Sequence, residues 1–316
     1  MTLLHGFVLG GLEVGAVSLA APLFNGIIRK GKARLQGRAG PPLFQLYYDL
    51  RKWWGRGEQA AASVSYVHWA APYVFLSATA GALLLVPIFS SAVPLDAQGD
   101  LFVLLGLLAL GRAALTLGAM DSGATFGQMG SSRELALGAL IEPLIVLTLI
   151  APAVAAHSST LSGIAAFGNQ QGISVLTLGW LLAAAGFLVV LVAETGRIPI
   201  DNPDTHLELT MIHEAMLIEY SGRSLGVLHF AAALRQAVLA LLFVNLFFPF
   251  GLVAHPGLGG YAGIAALDVL KLVVVALAFV VVEMLFAKMR FFELAGLLGT
   301  AMLVAGAAVA VTVVLA

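Results

Sequence analysis

Long apolar runs, each the length of a membrane-crossing helix and closed by a polar stretch, recur along the chain. A hydrocarbon core of about 30 Å takes about 20 residues of helix, and such windows fall at about 3–28, 66–90, 101–120, 135–157, 173–195, 229–250, 263–286 and 292–315. The runs are continuous and rich in Leu, Ala and Val, whereas barrel strands alternate over about ten residues. The pattern predicts an all-α membrane protein with eight transmembrane helices in a single domain over residues 1–316. The first run has no basic leader, carries Glu13 in mid-span and ends in Arg29-Lys30-Gly31-Lys32, so it reads as a retained span. No internal repeat or pair of broken helices marks the two halves, which counts against a secondary transporter.

Composition sharpens this picture. Of 316 residues, 60% are apolar and 10% charged, and the mean hydropathy is +0.98. A soluble enzyme of this size could not cover its surface with so little charge. The net charge of −1 and the lack of a basic arm leave no footprint for nucleic acid. Cysteine is absent, so a cluster held by thiolates would have to sit on other proteins.

Lys and Arg accumulate in short cytoplasmic loops. The first long loop holds eight (Arg29, Lys30, Lys32, Arg34, Arg38, Arg51, Lys52 and Arg56); Arg133, Arg197, Arg223, Lys288 and Arg290 fall in the later loops of the same parity. The loops of the other parity have none. Both termini are therefore expected on the outer side and the long loops in the cytoplasm, an amphipathic one over 29–64 and an acidic one over 196–228. The cytoplasmic face becomes the expected docking surface for a soluble partner.

Ionisable groups cost about 2.5–3.5 kcal/mol at the bilayer centre, so those present are paired within the bundle or functional. Glu13, Arg112, Asp121, Glu142, Glu194, Arg235, Asp268, Lys271 and Glu283 lie in or at the ends of spans, and Arg133 and Glu134 just precede the fourth. Each could be an ion-paired strut; the set, with both signs, suggests groups that pass protons. The densest stretch carries Glu194, Asp201, Asp204, Glu208, Glu214 and Glu219. Pro199 and Pro203 break the helix there, and a helix resuming at Asp204 would set Glu208 and Glu219 on one face, and His206 with His213. Crowded carboxylates would raise one another's pKa, as a relay needs; the alternative is a solvated acidic loop.

In the first loop, Gly40-Pro41-Pro42 predicts a turn. Leu43, Leu46, Leu50, Trp53 and Trp54 then share one face of an interfacial helix, with Gln45, Asp49 and Lys52 more polar; a plain surface anchor is the other reading. The histidines sit at span ends or in a loop, which excludes a haem pair, and no metal-ligand spacing appears.

The chain resembles, over essentially its whole length, the subunit-1 family of respiratory complex I. Within it, the likeness is to the membrane subunits of nickel–iron hydrogenases of the formate hydrogenlyase subunit 4 type. The resemblance rests on Arg38-x-Gly40-Pro41 with Gln45, Asp49 and Lys52; Asp121-Ser-Gly with Phe126; and Gly130-Ser-Ser-Arg133-Glu134 with Glu142-Pro143. It continues in Glu194-x-x-Arg197-x-Pro199-x-Asp201, Glu208-Leu209, Glu219-Tyr220-Ser221-Gly222, and Lys271 with Glu283 and Arg290. Pro42 stands where Gly is common, and His206 where an acid is expected.

The resemblance implies a multi-pass subunit of the inner (cytoplasmic) membrane. It would join hydrogenase large and small subunits and Fe–S proteins, on the cytoplasmic face, to antiporter-like membrane subunits in the lipid bilayer. It also implies a nickel–iron centre and Fe–S clusters on the partners and no cofactor on this chain. Proton coupling would run through Glu142, Glu194, Asp201, Asp204, Glu208 and Glu219, joined by Asp121, Glu134, Lys271 and Glu283, with Arg112, Arg133 and Arg197 as charge partners. The other reading is a subunit closing a quinone chamber in a complex I-like dehydrogenase.

Overall fold

The computed structural model describes residues 3–61, 63–90, 100–201, 211–253 and 258–315. Among these the chain forms eleven α-helices and no strand. In chain order they are α1 (Leu3–Leu35), α2 (Gln45–Trp54), α3 (Tyr66–Leu83), α4 (Leu101–Asp121), α5 (Thr125–Ala156), α6 (Leu161–Gln171), α7 (Leu178–Glu194), α8 (His213–Leu217), α9 (Gly222–Phe247), α10 (Leu258–Leu285) and α11 (Phe291–Leu315). Each of the eight apolar windows holds one long helix, and α2, α6 and α8 are the short additions.

Six helices, α1, α4, α5, α9, α10 and α11, are long and apolar enough to cross a membrane. Residues Leu161–Val175 and Leu178–Glu194 meet at 116° and would make a seventh span as one bent pair. The remaining window contains α3, whose 18 residues include His68, Pro72, Ser77 and Thr79 and which stops at Leu83, short of the predicted 90. Elsewhere helices overrun the windows: α1 continues through its basic end to Leu35, and α9 begins at Gly222.

Polar side chains close the helix starts, where backbone N–H groups lack partners. Ser65, Thr160 and Thr177 accept from Val67, Gly163 and Trp180 at 3.1, 3.2 and 3.4 Å. The start of α9 is capped from a distance, by the Glu58 carboxylate on the Ser224 N–H at 2.7 Å, so the first loop is fastened to the helix that follows the acidic one.

The core is built around α9, 72% of whose apolar window is buried inside the bundle against 28% for α11. It packs on α1, α2, α3, α7 and α10. On α2, Leu46 and Leu50 are buried as expected, whereas Trp54 is 53% exposed and leaves the predicted apolar face. The ten-residue helix turns Trp53 inward instead, stacked on His229 of α9 at 4.5 Å.

The segment leading into α2 reaches α1 through a glycine. A Cβ on Gly26 would stand 2.1 Å from the Leu43 carbonyl oxygen, so only Gly lets the two segments touch. Gly26→Ala is expected to push the first loop off α1 and cost about 1–3 kcal/mol. Limited proteolysis around 44–60 and a lowered melting temperature in detergent would report it; a wild-type melting curve would contradict the contact.

Candidate functional site: an acid–base network around a cavity

Glu134, Gly138 and Glu142 are four residues apart and share one face of α5. Gly138 leaves room for the Arg112 side chain from α4, since a Cβ there would lie 2.6 Å from its Nη1. The guanidinium then spans both carboxylates, with Nε 3.3 Å from Glu134 and Nη1 donating to Glu142 at 3.0 Å. Its Nη2 donates to Glu194, at the end of α7, and Arg235 of α9 donates to the other Glu194 oxygen. Glu194 is buried, while the Glu142 side chain is half exposed.

A second arm leaves Glu134. His213, the first residue of α8, holds Nε2 3.4 Å from Glu134 and Nδ1 3.5 Å from Asp201. Asp201 also accepts from the Ile212 and His213 N–H groups, both at 3.1 Å, and from Lys288 at 3.2 Å. Gly196 permits this approach: its φ is +59°, and a Cβ would meet the His213 Nδ1 at 2.7 Å. Burial disfavours the charged imidazole, but the neighbouring Glu134 and Asp201 carboxylates outweigh it and lift the His213 pKa to about 9. A third arm runs through Arg197, which donates to Glu283 at 2.7 Å and to Gln236 at 3.1 Å; Lys32 meets the other Glu283 oxygen at 3.1 Å.

All three arms open on one cavity of about 740 Å³. Its walls include Glu134, Glu194, Asp201 and Glu283, and also Arg38, Gly40, Pro41 and Asp49 of the first loop. The two groups of residues singled out in sequence therefore line the same space. Gly40 fits its turn for a physical reason, with φ +70° and a Cβ position 2.6 Å from Ala33 Cβ. Gln45 donates to Asp49 at 2.9 Å, and Lys52 is exposed beside them, off the wall.

Several expectations are corrected. The carboxylates are not left to one another's charge: Glu142, Glu194, Asp201 and Glu283 each face a Lys or Arg, and Glu134 faces Arg112 and His213, so the network is ion-paired. Asp121 lies apart and accepts from the Ser65 and His68 N–H groups at 2.7 and 3.2 Å, holding the start of α3. Arg133 donates to the Met211 carbonyl at 3.2 Å, and its neighbour Glu134 takes the place in the network. Lys271 pairs with Asp268 and Asn245, away from the cavity walls. Glu219 follows α8, which ends at Leu217, so no continuous helix reaches it from His213, and it lies off the wall. Asp204, Glu208 and His206 lie outside the described residues.

Sequence reasoning passed over Lys32, Gln236 and Lys288 as members of the network. Only the close spacing of Arg235 and Gln236 on an apolar helix offered a signal.

The geometry can be set beside known proteins. Hydrogenase-4 component C of Escherichia coli is 34% identical over 273 residues, covering 86% of this chain and 85% of the relative. Formate hydrogenlyase subunit 4 of the same organism is 33% identical over 271 residues, 85% of this chain and 87% of the relative. For the fold, a chain in the structure of the membrane-bound sulfane sulfur reductase, an archaeal respiratory membrane complex, superposes with a TM-score of 0.87. It is 24% identical, with 98% of this chain and 99% of that chain covered. The family described as NADH dehydrogenase matches residues 11–315, and this chain belongs to it.

Proposed function

We propose that the chain is the membrane-anchoring and proton-coupling core subunit of a membrane-bound nickel–iron hydrogenase complex of complex I type, set in the inner membrane. Its eight long helices all cross, with both termini outside. The observation that carries the reading is the shared cavity. The loop expected to dock the redox partner and the paired acids and bases of α5, α7, α10 and the segment after α7 line one space. On this reading, a charge change at the docked arm acts on groups that can exchange protons. Two relatives that are 34% and 33% identical over most of their length, named as a hydrogenase component and a formate hydrogenlyase subunit, support the choice of partner. The nickel–iron centre and Fe–S clusters are assigned to those partners.

Within the network, Glu134 is the pivot: one oxygen faces Arg112 and the other His213. Glu134→Gln keeps the shape, removes the proton acceptor, and leaves Arg112 with Glu142 and Glu194. The complex should assemble and keep its hydrogenase activity under uncoupled conditions, while protons moved per turnover fall about tenfold or more. Proton uptake by vesicles holding the complex checks this, and wild-type coupling in the variant would overturn it. Purification through a tag on this chain should bring down nickel and Fe–S proteins in stoichiometric amount; a chain that purifies alone would overturn the partner assignment.

One observation favours the quinone-chamber reading. Leu46, Trp53, Phe75, Leu115 and Leu228 line the cavity along with its charges, a surface suited to a head group with an apolar tail. Quinone-dependent turnover blocked by a quinone analogue and weakened by Phe75→Ala would replace the hydrogenase assignment.

A further inference from the structure

A second, smaller pocket of about 290 Å³ lies where the link after α2 meets the start of α9. Its walls are Trp54, Gly55, Arg56, Gly57, Glu58 and Arg223, and none of them borders the cavity.

Backbone contacts fix its shape. Gly222, at φ +52°, lets α9 begin against the link, since a Cβ there would stand 2.6 Å from the Gly57 carbonyl oxygen. Beside it, Ser221 Oγ accepts from the Gln59 N–H at 2.7 Å and donates to the Gln59 carbonyl at 2.6 Å. One turn into α9, Gly226 leaves room for the Trp54 indole, whose Nε1 would lie 3.3 Å from a Cβ at that position.

Charge decides what such a pocket holds. Arg56 and Arg223 are both exposed, and neither guanidinium has an ion-pair or hydrogen-bond partner among the described residues. The carboxylate between them is committed to the helix: Glu58 Oε1 accepts from the Ser224 N–H at 2.7 Å and from its hydroxyl at 3.1 Å. Two guanidinium groups against one carboxylate leave the pocket one positive charge in excess. A phosphodiester carries one negative charge and accepts paired N–H donors from guanidinium forks.

Depth favours a lipid as its source. Tyr and Trp collect at the headgroup level of a membrane. Tyr48 and Trp54 on α2, and Tyr66, Trp69 and Tyr73 on the first turns of α3, are all exposed. They flank the pocket along the chain on both sides. A soluble anion would leave the half-exposed Trp54 indole wet, whereas the glycerol and first methylenes of a lipid cover it.

We propose that Arg56, Arg223 and Trp54 form a binding site for the phosphodiester headgroup of an anionic phospholipid, at the seam between the first loop and α9. The bound headgroup bridges the two segments, and so helps to hold in place the loop whose earlier residues line the cavity. The site is independent of the coupling role of the cavity and holds whichever partner complex the chain serves.

Native mass spectrometry of the protein, purified in detergent with the subunits it carries, tests it by titration with phosphatidylglycerol and, separately, phosphatidylcholine. One phosphatidylglycerol should bind about tenfold more tightly than phosphatidylcholine. Arg56→Gln with Arg223→Gln should erase that preference, a loss of about tenfold for two basic contacts to an anionic headgroup. Arg51→Gln with Lys52→Gln removes the same charge from α2 outside the pocket and should leave the preference intact. Equal losses in the two double variants would mean diffuse surface charge and overturn the site. Displacement of the lipid by inorganic phosphate would give the pocket to a free anion. Loss of partner subunits from the Arg56 and Arg223 double variant, with lipid binding unchanged, would give it to an acidic segment of a partner. Either result overturns the lipid assignment. If that double variant fails to fold, Trp54→Ala decides, because it keeps both cations: phosphatidylglycerol affinity should fall about threefold, and wild-type affinity would overturn the site.

Discussion

Arg112→Met should cost about 3–5 kcal/mol, the usual effect of removing one partner from a buried ion pair. Met preserves the apolar stem of the side chain and removes only the guanidinium. Of the three carboxylates it serves, Glu142 is half exposed and can turn to water, and Glu194 keeps Arg235. The cost therefore falls on Glu134, which keeps only His213 at 3.4 Å. Adding Glu134→Gln to Arg112→Met should restore part of the stability, because a buried amide needs no cation. Arg112→Lys should fall between, since an ammonium is a point charge that cannot span three acceptors. Melting curves in detergent and the yield of assembled complex measure the series. If Arg112→Met lies within about 0.5 kcal/mol of the wild type, the guanidinium is no keystone.

How far the sequence foretells the site depends on distance along the chain. The spans follow from window length, and the α5 acids follow from an eight-residue spacing, about two turns, that a helix brings round to one side. That Arg112 would meet them was open to inference, because a buried cation needs acids and the neighbouring span supplied them. Lys32 with Glu283, or Lys288 with Asp201, gave no such signal, since their elements meet only after the bundle closes. The acidic segment misled for a local reason. Its charge density suggested acids in one another's company, yet Arg112 of α4 and Arg235 of α9 stand beside Glu194, and His213 of α8 and Lys288 of the link from α10 to α11 stand beside Asp201. Asp121 misled in the opposite way: it sits at a span end as a relay group would, but its oxygen is taken up by the first N–H groups of α3.

The same comparison changes the reading of His213. A histidine in an acidic loop would ordinarily titrate near 6.5, but between Glu134 and Asp201 His213 titrates at about 9. At neutral pH it is a fixed cation tying α5 to the segment after α7. The folded protein holds this proton more tightly than the unfolded chain, whose histidine has the ordinary value of 6.5. Stability from His213 is therefore fully present below about pH 6.5 and lost as pH rises through about 9. The span of about 2.5 units corresponds to about 3 kcal/mol. Melting curves from pH 6 to 10 should show the wild type losing this increment while His213→Gln stays flat across the same range. At pH 10 the two should converge, since the neutral imidazole and the amide serve Glu134 and Asp201 alike. Parallel curves for the two proteins would mean that the imidazole carries no charge in the fold, and the link between Glu134 and Asp201 would then be a hydrogen-bonded contact without an ion pair.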